Sequence, residues 1–186
     1  MLVEAIVPVR SFNGLSRLSA VMATDRRAEV MQRLVDRTVS ASRAAGVIPM
    51  IVTADHGVAK WATHNDIPVV DEGPGGLDAA AASGIAATTG DAWLVIHADL
   101  PRISPADVAA AAQLLDRGVV LAPSHDGGTS LIGGRGPSFP FRYGPGSFRR
   151  HLSAVGGQAS ILVRPGLAID LDRPWDLKAL ERLGWL

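Results

Sequence analysis

The chain has 186 residues, 47% of them hydrophobic and 19% charged, with 18 basic and 18 acidic side chains and no formal net charge. That balance excludes a globally basic nucleic-acid binder, and such a length supports one domain with a sizeable core. Cys is 0, which removes disulfides, thiolate metal sites and cysteine nucleophiles, and no apolar run reaches the ~18 residues of a membrane span.

In chain order, Leu2 to Val9 is a short branched apolar run and reads as a buried strand. Its start, Met1-Leu2-Val3-Glu4, has no basic flank, so a secretory signal is not expected and a soluble cytoplasmic protein is. Arg10 to Ser19 is a polar loop, and Asp25 to Ala45 is helical from the spacing of Val30, Leu34, Val35 and Val39. Val47–Thr53 reads as a strand, Asp55–His64 as a helix and Ile67–Val70 as a strand. The run 71–76 is a glycine-rich loop, Leu77–Thr89 an Ala-rich helix and Ala92–Ile96 a strand closed by His97-Ala98-Asp99-Leu100-Pro101. Ser104-Pro105 starts a helix that runs to Arg117. Val119–Ala122 and Ser130–Ile132 are strands around a loop, 133–146 is irregular, and Ser147–Val155 is helical. Ala159–Val163 and Leu167–Leu171 read as strands, and Pro174 opens a last helix toward Leu183. Apolar strands alternating with helices predict an α/β fold, a mostly parallel sheet with helices on both faces, in a single domain over 1–186. Ligands of such sheets bind beyond the carboxyl ends of the strands, so the polar residues there are the candidates.

Five groups stand out. In the first loop, Arg10 and Arg17 can pair with phosphates, or be solvated surface arginines; the Gly-Lys-Ser/Thr ending of a P-loop is absent. Asp99 follows a strand and is either a Mg²⁺ ligand that also meets substrate phosphates or a turn residue; His97 is a strand-end polar residue, because magnesium prefers oxygen. Asp170 and Asp172 fall on one face by strand alternation, and two such charges need a cation or an Arg. Asp170 leans to metal, while Asp172 is a metal ligand or the cap of the last helix. Asp126-Gly127-Gly128-Thr129 is a hairpin turn, or a close-approach segment in which Thr129 offers donors. Ser147, after Gly144-Pro145-Gly146, opens a helix and is an anion site or an ordinary capped start, with Arg149 and Arg150 nearby. No G-x-S-x-G elbow is present, which argues against acyl-transfer hydrolysis.

Taken together, Val7-Pro8-Val9 with Ser16-Arg17-Leu18-Ser19, Gly76-Leu77-Asp78-Ala79-Ala80, Ala98-Asp99-Leu100-Pro101, Asp126-Gly127-Gly128-Thr129, 143–148 and Asp170-Leu171-Asp172-Arg173-Pro174 resemble one family in its order. The chain looks like the guanylyltransferases of coenzyme F-420 biosynthesis, which activate 2-phospho-L-lactate or phosphoenolpyruvate with GTP. The resemblance implies a Rossmann-like nucleotidyltransferase fold of the nucleotide-diphospho-sugar transferase type, and Mg²⁺ at Asp99 and Asp170. It implies an acid pocket of Thr129, Gly144 and Ser147, with backbone amides at Gly144 and Ser147 holding the acid. Nucleotide contacts are expected from Arg10, Arg17 and Asp78, whose carboxylate suits guanine N1–H and N2–H₂. GTP and the acid are then the partners, with no nucleic acid or membrane; a homodimer is left open.

The chain departs from the family where Leu15 replaces the usual loop Lys, Asp78 a frequent Asn and Arg173 a common Thr, which leaves room for another acid such as a phosphoglycerate. The rival readings are another nucleotidyltransferase of this fold, acting on a molybdenum cofactor or a sugar phosphate, a glycosyltransferase with an Asp-x-Asp site, and a non-catalytic nucleotide-binding module.

Overall fold

The computed structural model describes residues 1–182; the expected end of the last helix at Leu183 lies outside them. In chain order the strands are β1 (Val3–Pro8), β2 (Ile48–Val52), β3 (Val69–Val70), β4 (Ala92–Ile96), β5 (Val120–Pro123), β6 (Thr129–Gly134) and β7 (Ser160–Ile161). The helices are α1 (Thr24–Ala44), α2 (His56–His64), α3 (Gly76–Ala87), α4 (Pro105–Leu114), α5 (Ser147–Ala154), α6 (Pro165–Ala168) and α7 (Pro174–Arg182). The seven strands form one sheet in the order β3-β2-β1-β4-β6-β5-β7. Six run in one direction and β6 alone runs against its neighbours β4 and β5.

Strand alternation decides which helix covers which face. Leu94 and Ile96 point to the side of α4, where they join Ile103, Val108 and Leu115. Trp93 and Val95 point the other way, toward α3 and the aromatic segment before α5. On β1 the same split sends Val7 to the stripe Val30-Leu34-Val35 of α1, and Ile6 to Ala80, Ala81 and Ile85 of α3. Such a stripe at helical spacing is what holds a long surface helix on a sheet. Gly84 is required at the α3 contact: a Cβ there would lie 2.3 Å from Ile6 Cγ2.

The chain winds from β1 outward to β2 and β3, then crosses to β4 on the opposite side of β1. That reversal opens a crevice at the carboxyl ends of β1 and β4, where open α/β sheets bind ligands. The reversal of β6 has a local cause. Asp126 Oδ1 accepts from Ser124 Oγ at 2.6 Å and from the Gly128 amide at 2.9 Å, closing a tight turn after β5. The hairpin reading of this loop is therefore right, and the turn also returns Thr129 to the crevice.

Two expectations change. Leu167–Leu171 is not a strand: Pro165 starts the short helix α6, and its first turn packs so closely that a Cβ on Gly166 would lie 2.0 Å from Asp107 Oδ2. The backbone beyond it pairs with loops, through His125 N–H to Ala168 O and Leu171 N–H to Asp99 O, both at 2.8 Å. Gly133 and Gly134, expected to be irregular, end β6, because a Cβ on either would collide with Leu94 or Trp93 across the sheet.

Candidate active site

The crevice has two parts. The first is a cleft of about 650 Å³, lined by Asp99, Thr129, Ser147, Asp170, Asp172 and Arg17 among others. The second, about 700 Å³, is lined by Pro8, Val9 and Arg10 after β1, Asp55 at the start of α2, and the glycines before α3. Leu77, in the first turn of α3, lines both.

Asp99 and Asp170 come together although 70 residues of chain separate them, because the Leu171 amide is hydrogen-bonded to the Asp99 carbonyl. One oxygen of each carboxylate, Oδ1 in both cases, is buried without a hydrogen-bond partner. Burial foremost, helped by neighbouring carboxylates, pushes both groups up to about pH 6; Asp99 feels Asp172, Asp126 and Asp176, and Asp170 feels Asp99 and Asp126. His125 stands beside them, with Nδ1 at 3.3 Å from Asp170 and Nε2 at 3.4 Å from Asp176. Two unpartnered hard oxygens suit Mg²⁺, which binds through one or two carboxylates plus substrate phosphates. No cluster of three or more Asp, Glu or His groups placed to share a metal occurs among the described residues.

Asp172 lines the same cleft, where its carboxylate is ion-paired with Arg17 and lies 3.8 Å from Arg173. It does not cap the last helix: buried Asp176 does so, accepting from the amides of Asp172 at 3.2 Å and Arg173 at 2.8 Å. Among the nucleotide candidates, Arg17 reaches the first cleft and Arg10 the second. Leu15, standing where a loop Lys was expected, adopts a left-handed φ of 55° and packs against the core beneath α1. Asp78 Oδ1 accepts from the Tyr143 amide at 2.8 Å and so anchors the segment before Ser147.

Thr129 and Ser147 meet, their hydroxyl oxygens 3.1 Å apart at 2% exposure each. Gly144 lines the same cleft with a φ of +109°, a conformation that disfavours any side chain. The expectation about amides is corrected in part: the Ser147 N–H donates to Gly144 O at 3.0 Å, and the Phe148 N–H to Gly127 O at 3.3 Å. The helix start therefore offers the Ser147 hydroxyl rather than its amide.

Sequence reasoning missed His125, Tyr143 and His151. The Tyr143 hydroxyl is buried without a partner, and burial raises its pKa, which keeps it neutral. Tyr143 stacks on Phe141 at 5.7 Å and meets the ring of His97 at 5.1 Å. His97 Nε2 is likewise unpartnered, and burial lowers that imidazole to about 4. His151 lies one turn beyond Ser147 and shares its buried face, so the i, i+4 spacing was the available signal.

An open α/β sheet with its crevice at the β1/β4 switch point, a buried pair of carboxylates and converging hydroxyls define a nucleotidyltransferase of the nucleotide-diphospho-sugar transferase class. A protein from Desulfovibrio desulfuricans G20 whose name places it provisionally in that class has the same fold, with a TM-score of 0.85 over 99% of this chain and 88% of its own, at 19% identity. The family described as "Guanylyl transferase CofC like" matches residues 3–180, and the chain belongs to it. A phosphoenolpyruvate guanylyltransferase of Rubrobacter xylanophilus is 37% identical over 99% of this chain and 96% of its own. A 3-phospho-D-glycerate guanylyltransferase of Phenylobacterium zucineum is 35% identical over 96% and 89%. A 2-phospho-L-lactate guanylyltransferase of Halomicrobium mukohataei is 30% identical over 94% and 83%.

Proposed function

We propose that the protein transfers GMP from GTP to the phosphate of a phosphorylated three-carbon acid, phosphoenolpyruvate or 2-phospho-L-lactate, in coenzyme F-420 biosynthesis. The observation that carries this reading is the meeting in one cleft of two unpartnered aspartate oxygens with the Thr129–Ser147 hydroxyl pair, next to a second cleft at the end of β1. In the reaction a phosphate oxygen of the acid attacks the α-phosphorus of GTP. A new P–O bond forms, the bond to the β-phosphate bridging oxygen breaks, and pyrophosphate leaves with its electron pair. The attacking oxygen is already anionic, so no strong general base is needed; positioning and electrostatics supply the catalysis.

Asp99 and Asp170 are assigned to Mg²⁺, which when bound supplies charge neutralisation at the phosphate oxygens. Arg17, at the mouth of the first cleft, can exchange its Asp172 partner for a phosphate, and Arg10 serves the second cleft. Gly144, Ser147 and the neutral Tyr143 hydroxyl hold the acid, with Thr129 lining the same cleft and bonded to Ser147. A third acid, 3-phospho-D-glycerate, belongs in the test because of the Phenylobacterium relative.

The test is pyrophosphate release from GTP with each acid in turn. Release with one or more of them is expected; release with none, or with a sugar phosphate only, overturns the assignment.

A further inference from the structure

The geometry points to His151 as a positioning residue that fixes the direction of a hydroxyl chain and so turns Ser147 into an obligate donor toward the acid. His151 is fully buried, and both ring nitrogens are engaged. The Arg142 N–H donates to Nε2 at 2.8 Å, so Nε2 carries no proton and Nδ1 must. Nδ1–H therefore donates to Thr129 Oγ1, 2.9 Å away. Thr129 Oγ1 then keeps one lone pair and its single proton, and Ser147 Oγ at 3.1 Å is the only protein acceptor within reach of that proton among the described residues, so the proton is satisfied by donation to Ser147. Ser147 Oγ has no other protein partner among the described residues, and its own proton is left for the cleft that it lines.

Without His151 each hydroxyl could rotate and face the cleft as donor or acceptor. With it, the subsite presents a proton and selects an acceptor, a phosphate or carboxylate oxygen. Burial holds the imidazole pKa down at about 4, so the neutral ring persists across the physiological range. Phe139 and Tyr143 pack around the ring, with centroids at 5.9 and 4.9 Å, and keep it in place.

This inference rests on the acid pocket proposed above, and the experiment separates the two. Nitrogen-15 NMR of the wild-type protein reads the tautomer without any substrate; protonation at Nδ1 from pH 6 to 8 is expected, and protonation at Nε2 overturns the inference. Steady-state kinetics then compare His151→Asn, whose amide can still donate to Thr129, with His151→Leu, which cannot. The Leu variant should raise the KM for the acid about tenfold, the scale of one hydrogen bond to a charged group, with the KM for GTP nearly unchanged. The Asn variant should stay within about threefold of wild type by the same scale. Both lose the acceptor for the Arg142 amide, so both should melt earlier; a merely structural role would move their acid KM values together, and that result overturns the inference. If His151→Leu fails to fold, His151→Phe, which retains the aromatic packing, replaces it under the same criteria. If no acid is turned over by the wild type, the proposed function falls, and the inference is then decided by the tautomer alone.

Discussion

The Leu171 amide donates to the Asp99 carbonyl at 2.8 Å, and this one backbone bond joins the loop after β4 to the segment before α7. It brings two carboxylates from distant parts of the chain to one place while both side chains keep an oxygen without a hydrogen bond, that of Asp170 lying 3.3 Å from His125 Nδ1. Asp99→Asn and Asp170→Asn should each lower turnover by at least about 100-fold, as expected for loss of a charge that stabilises the transition state. Chelation of divalent cations should do the same to the wild type, and Mg²⁺ should restore it. Undiminished release of pyrophosphate in chelated buffer would count against both assignments.

The same pair makes stability depend on pH with a definite sign. Both carboxyls titrate near pH 6 in the fold, above the ordinary 3.8. Their contribution is therefore full below about pH 4 and is lost as the pH rises through about 6. In chelated buffer Asp99→Asn should match the wild type near pH 4 and exceed it by about 3 kcal/mol at pH 7. Adding Mg²⁺ at pH 7 should narrow the gap, because only the wild type gains from binding. Urea unfolding at the two pH values measures this, and a gap independent of pH would refute it.

Asp78 should affect the acid more than the base. Its carboxylate holds the Tyr143 amide, so Asp78→Ala should raise the KM for the acid several-fold, by the loss of about 1–2 kcal/mol of anchoring. Asp78→Asn keeps an acceptor and should be close to wild type. A preference for GTP over ATP that disappears in Asp78→Asn would show instead that the carboxylate reads guanine.

Gly144→Val should destabilise the protein by about 1–3 kcal/mol whether or not a ligand is present, because its φ of +109° disfavours a side chain. Ser147→Ala is the cleaner probe of the acid pocket. It removes the hydroxyl, while the Ser147 amide is already used by Gly144 O, so the acid KM should rise about 10-fold with little change for GTP. Thermal melting beside kinetics separates the two effects.

The end of β4 was legible because an apolar run followed by a carboxylate is a local pattern, whereas Asp170 was placed by alternation along a strand that does not form. The hydrogen bond that Asp78 accepts was not legible, since its donor is a backbone amide 65 residues away. Asp172 resisted for a related reason: a cap and a metal ligand call for the same residue type, and the fold gives the cap to Asp176 and pairs Asp172 with Arg17. Gly133 and Gly134 looked like loop because glycine usually breaks strands, whereas here the bulk of Leu94 and Trp93 across the sheet demands it. Alternation still succeeded where the strand itself failed: Leu171 is buried, and Asp170 and Asp172 both face the cleft, although residues 169–172 form no strand.

Leu77 is a party wall between the two clefts. A ligand that presses it from one side alters the room available on the other. Thermodynamic reciprocity then requires that whatever factor the acid imposes on GTP affinity, GTP imposes on the acid. Substitution of Leu77 by Ala should thus change the coupling between the two substrates more than the binding of either alone, a quantity read by measuring each affinity with and without the other.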